Sequence, residues 1–166
     1  MMAAIKKLLV AILFSGLSLY SLPTPSLWAQ QNRQIEQLGK ERLKLQREND
    51  PVGRTKTQIK VADILLSMAG AAVKNNEFER MQDHLDEYVA AIQDAHDTMI
   101  KSGRDAQKKA GGFKDLEIAL RRHMRQLQDM GGSLTLDLRE PVEKARDQAA
   151  GIRDVMLRAL FGGQNV

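Results

Sequence analysis

From residue 31 onward the apolar residues recur three and four positions apart, and no run of β-branched residues alternates with polar ones over the length of a strand. A chain with that period buries its apolar side as helices. Aromatic residues make up only 4% of the chain, which fits an all-α fold better than a sheet.

The breaks between periodic segments carry their own chemistry. Residues 31–48 read as a polar, charged helix with a thin seam of Ile35, Leu38 and Leu45. It stops at Asn49-Asp50-Pro51, because the residue before a proline avoids the helical region. A second helix spans about 52–75, with Ile59, Ala62, Leu66, Ala69 and Val73 on one stripe, widened by Ile64, Leu65 and Met68. So broad a stripe predicts a largely buried helix. Asn75-Asn76 breaks it, since asparagine tolerates the left-handed conformation.

The third helix, about 77–102, aligns Phe78, Met81, Leu85, Tyr88, Ile92, Ala95 and Met99, and ends at Gly103. Residues 104–112, RDAQKKAGG, read as a flexible connection. The fourth helix carries Phe113, Leu116, Leu120, His123, Leu127 and Met130 and stops at Gly131-Gly132. Pro141 suits the first turn of the last helix. That helix shows Val142, Ala145, Ala149, Ile152, Met156 and Ala159 before Gly162-Gly163.

Four such helices with short connections bury their stripes best as an antiparallel helical bundle, with the polar N-terminal helix beside it. Two features predict who neighbours whom. Ala69-Gly70-Ala71-Ala72 and Ala149-Ala150-Gly151 would let the second and last helices approach closely. From Glu77 to Asp97 there are seven acids against Arg80 alone, whereas Lys101 to Arg125 holds eight bases against three acids. The third and fourth helices are therefore expected side by side with opposite charges facing, each exposed pair contributing only about 0–1 kcal/mol.

The N-terminus has a different character. Lys6 and Lys7 precede an uncharged apolar stretch from Leu8 to Leu22, followed by Pro23, Pro25 and Ala29, the layout of a secretory signal peptide. The stretch falls short of the roughly 20 residues a spanning helix needs. Cleavage is expected after Ala29, an uncleaved N-terminal anchor being the less favoured alternative. The expected parts are thus a signal peptide at 1–29, a polar helix at 30–50 and a bundle domain at 51–162. Removing the signal takes away two lysines and no acid, so the formal charge falls from +4 to 4 − 2 = +2. That modest excess implies no nucleic-acid partner. With no cysteine in the chain, an exported product must hold itself together by packing alone.

The candidate chemistry is sparse. His84 has Met81, Asp83, Glu87 and Tyr88 nearby, but metal on a helix needs ligands three or four residues apart plus others from elsewhere. His96 lies about 120° further round the same helix. His123 falls on the apolar seam, where a histidine is usually a buried, hydrogen-bonded group, with ligand binding or proton switching as the sharper reading. Met68, Met81, Met99, Met124, Met130 and Met156 are scattered as adaptable core filler. Arg121, Arg122 and Arg125 form a candidate interaction surface for an acidic partner or phosphate, set against the plainer reading of an ion-pairing flank. There is no G-x-S-x-G, H-E-x-x-H or P-loop spacing, and Ser67, Ser102 and Ser133 stand beside no histidine.

The stretch DPVGRTKTQIKVADILLSMAGAAVKNNEFERMQDHLDEYVAAI, with GGFKDLEIALRRHMRQLQD and REPVEKARDQ, resembles exported bacterial all-helical bundle proteins of unknown function. The likeness covers roughly residues 50–161 and implies a fold and an address but no activity. The segment from Met68 to Tyr88 is also faintly similar to a tetratricopeptide hairpin, with Asn76-Glu77-Phe78 at the turn. No second copy follows at a fixed period, so a single hairpin within a bundle is expected.

These readings lead to one expectation: a periplasmic or secreted, non-enzymatic helical bundle that acts by contact with a protein partner in the cell envelope. It would need no cofactor and have no membrane span after signal cleavage. The alternative is a bundle that binds a small ligand or metal through His123 or His84.

Overall fold

A computed structural model describes residues 25–162, so the charged start and apolar stretch of the expected signal peptide lie outside the described residues. Five α-helices follow in order: α1 (Pro25–Arg47), α2 (Pro51–Lys74), α3 (Phe78–Lys101), α4 (Phe113–Gly132) and α5 (Glu140–Phe161). A single 3-10 turn, Leu136–Leu138, joins the last two, and the described residues contain no strand. The fold is an all-α helical bundle. Among the described residues no helix is long and apolar enough to cross a membrane.

Local chemistry sets the helix ends. The Asp50 carboxylate accepts a hydrogen bond from Gly53 N–H at 2.8 Å, and Pro51 fills the first turn of α2, where its missing N–H costs nothing. Asn76 takes a left-handed φ of 59°, which lets Glu77 N–H donate to Ala72 O at 2.9 Å and reverses the chain into α3. Gly162 ends α5 with a φ of 70°.

The helices pair as two hairpins, α2 with α3 and α4 with α5. α5 packs on α3 and α4 packs on α2, whereas α3 and α4 scarcely touch. Going round the bundle the order is therefore α2, α3, α5, α4. Between them lies a core of Leu65, Leu85, Ile92, Met99, Leu116, Leu120, Leu127 and Met156, all inaccessible to solvent or nearly so. Burying each such side chain contributes roughly 1.5–3 kcal/mol before the entropy of ordering it.

This order corrects both neighbour expectations. The acidic α3 and basic α4 sit diagonally with their charged faces turned outward, because burial of apolar stripes outweighs weak surface pairing. The small residues of α2 and α5 likewise do not bring those two axes together. Gly70 instead faces Met130 of α4, at 3.8 Å from the nearest atom a Cβ would meet, so it is not required for a close approach. Gly151 meets nothing.

Residues 104–112 are not a loose tether either. The Asp105 carboxylate accepts from the N–H groups of Gln107 and Lys108, and Ala106 is buried in the core. Gly112 takes a φ of 85°, and a Cβ there would come within 2.4 Å of Met99 Sδ. Its N–H donates to Asp115 at 3.2 Å, which fixes the entry to α4.

α1 lies outside the four-helix core, along α2. Of its expected seam only Leu38 is buried, while Ile35 is 52% exposed. Polar contacts do most of the holding: Gln34 donates to Ser67 at 2.8 Å, Arg54 donates to Leu45 O at 3.0 Å, and Arg42 pairs with Glu87. The helix begins at Pro25, upstream of the expected cleavage point at Ala29.

Candidate functional site

Polar groups converge at mid-bundle. Asp63 stands alone among the apolar residues of α2 and points between α2 and α4. One of its oxygens accepts from His123 Nε2 at 2.6 Å and from Arg122 at 2.5 Å. His123 is 0% exposed, and its ring meets that of Tyr88 on α3 edge to face, with centroids 5.4 Å apart at 73°. These side chains tie α2, α3 and α4 together at one level.

Electrostatics follow from that geometry. Burial pushes the Asp63 carboxyl up, but the hydrogen bonds from His123 and Arg122 outweigh it and hold the group below its ordinary pKa. Burial drives the Tyr88 phenol well above its ordinary value, with the Asp63 charge adding to the shift, so it stays protonated. Its hydroxyl and His123 Nδ1 are buried without a hydrogen-bond partner among the described residues. The enclosed imidazole is oriented by Asp63, whose own side chain is 40% exposed.

A second paired acid, and a buried one, lies on α4. Glu117, only 6% exposed at its side chain, accepts from Arg121 at 2.7 Å and from Arg153 of α5 at 3.0 Å. Burial again raises its carboxyl, and the two guanidiniums more than offset this, leaving it below the ordinary value. Glu117 thereby clamps α4 to α5 as Asp63 clamps α4 to α2.

The three arginines singled out by sequence therefore divide. Arg122 neutralises Asp63, and Arg121 shares Glu117 with Arg153. Arg125 is exposed and makes no ion pair among the described residues. The partners of Arg121 and Arg122 are thus on α4 itself and α2, not on the acidic α3. Asp63, Glu117 and Arg153 were not anticipated. The signals were present: a lone acid in VADILLSMAG, and a glutamate one turn before Arg121 and next to the apolar seam.

The histidines are not brought together. His84 is half-buried, and burial is the main cause that lowers its pKa, opposed by Glu87 and Asp83. His96 Nδ1 lies 2.9 Å from Asp97, whose carboxyl is pulled down to about 2 by hydrogen bonds from His96, Lys101 and Gln93. No group of three His, Asp or Glu side chains among the described residues is placed to hold a metal ion. Ser102 and Ser133 donate to the carbonyls of Met99 and Met130 at helix ends, and Ser67 accepts from Gln34.

Two shallow pockets are open to solvent. One of about 210 Å³ lies between α4 and α5 against Gly131, Gly132, Arg139 and Arg146. Another of about 350 Å³ lies between α3 and α5, with Leu85, Val89 and Ala145 below and Asp86, Glu140 and Lys144 above. Neither is lined by His84 or His123. Compared with protein-family models, curated proteins and solved structures, the chain matches none.

Proposed function

We propose that the chain is an exported, periplasmic or secreted helical bundle that works by protein–protein contact in the cell envelope and performs no catalysis. The resemblance to exported helical proteins and the signal-like N-terminus support the address. One observation carries the contact reading: α4 turns a ridge of exposed positive charge outward, and its outer members, Lys114 and Arg125, make no ion pair among the described residues. Ile118, 46% exposed, sits in the middle of that ridge. A charged surface with an apolar centre suits an acidic protein surface, where charge steers the approach and the isoleucine supplies desolvation.

The test is a pull-down of the tagged chain from native envelope extract, comparing the wild type with Arg125→Glu. Reversing Arg121 or Arg122 would also remove one of the two partners of Glu117 or Asp63 and set a like charge beside it, whereas Arg125 can be reversed without that. A partner enriched on the wild type and lost on Arg125→Glu is expected. Capture unaffected by Arg125→Glu together with Lys114→Glu would remove the ridge from the account.

A further inference from the structure

The diagonal placement of α3 and α4 leaves two ridges of opposite sign on opposite sides of one molecule. On α3, Glu79, Asp83, Asp86 and Asp94 are exposed and form no ion pair among the described residues, unlike Glu77, Glu87 and Asp97, which pair with Arg80, Arg42 and Lys101. At 100° per residue these four acids fall within an arc of about 80°.

On α4, Lys114, Ile118, Arg121 and Arg125 follow at i, i+4, i+7 and i+11, within an arc of about 60°. Arg121 and Arg153 share the single charge of Glu117, so that cluster keeps a positive charge facing water. Glu79, Asp83, Asp86 and the exposed Ala90 have the same i, i+4, i+7, i+11 spacing on α3. The ridges thus share one spacing and oppose in sign, and two of the three cations meet a carboxylate whichever way the helices run. The groups bordering them are Lys144 beside Asp86 and Asp129 on the flank of α4.

We propose that the partner for the basic α4 ridge is the acidic α3 ridge of a second copy of this chain. This rests on the contact reading above and narrows it to self-association. The contact is heterologous, since different surfaces meet, and each copy retains one free ridge of each sign after docking. Assembly therefore continues beyond a dimer unless the rotation between copies closes a ring. Because the charges are exposed, the association weakens as salt shortens the screening length from about 30 Å at roughly 0.01 M to about 3 Å at roughly 1 M.

The experiment is sedimentation velocity on the full chain purified after export, across a concentration series at low and at high salt. A sedimentation coefficient that rises with concentration at low salt and collapses at high salt is expected. Lys114→Glu with Arg125→Glu, and separately Asp83→Lys with Asp86→Lys, should each abolish the rise while circular dichroism stays unchanged, since these residues hold nothing inside the fold. Mixing the two variants should restore association, because the reversed α4 ridge of one now matches the reversed α3 ridge of the other.

A wild type that stays monomeric at every concentration at low salt overturns the proposal, as does association that survives both reversals. Binding of the monomer to vesicles of anionic lipid, lost with the α4 reversal, would also overturn it by giving the ridge a lipid surface as its partner. A heterologous protein recovered in the pull-down by a monomeric chain would leave the broader contact reading standing while this one falls.

Discussion

Two glycines with opposite surroundings show how much one residue can decide. Gly112 has a positive φ and no room for a Cβ beside Met99, so Gly112→Ala combines backbone strain with a clash. The expected loss is about 2 kcal/mol or more in urea unfolding. Gly151 sits in open space on α5, where alanine relieves the helix penalty of glycine, and Gly151→Ala should stabilise by about 0.5–1 kcal/mol. The two paired acids make a second prediction. Asp63 and Glu117 both titrate below their ordinary values, so the unfolded chain takes up protons first as the pH falls. Their contribution is fully present above about pH 5, beyond the unfolded values, and is lost as the pH drops through the lower native values. Urea midpoints should therefore fall between about pH 5 and pH 3. Glu117→Gln should be less stable at neutral pH and show a smaller fall across that window; an equal fall would show that Glu117 does not contribute.

At the scale of elements, helix limits were legible and helix neighbours were not. The ends of α2, α3 and α5 fall within a residue or two of the expected breaks, because Pro51, Asn75-Asn76, Gly103 and Gly162 change backbone preference locally. Two limits differ: α1 starts at Pro25 instead of residue 31, and Gly131 and Gly132 stay inside α4, since the turn is made only afterwards, at Ser133 and Leu134. Pairing depends instead on which apolar stripes meet, and the opposite charges of α3 and α4 carry too little energy to choose it. The candidate site was half legible for the same reason. His123 announced itself by its place on the seam, whereas its partner Asp63 lies about 60 residues away on another helix. Only tertiary packing joins them.

At the scale of the whole molecule, α1 differs from the rest in how it is held. One buried leucine and a few hydrogen bonds and ion pairs attach it to α2 and, through Arg42 and Glu87, to α3, against a continuous core within the other four helices. Such attachment gives a local opening free energy below that of global unfolding. Amide hydrogens of α1 should exchange orders of magnitude faster than those around Leu65 or Leu120, and a uniform exchange rate across all five helices would contradict this. The same asymmetry sets where the chain is vulnerable. Limited proteolysis should therefore cut within α1 and leave a resistant fragment that begins near the Asp50-capped start of α2. Loss of α1 would thus leave the contacts among the other four helices in place.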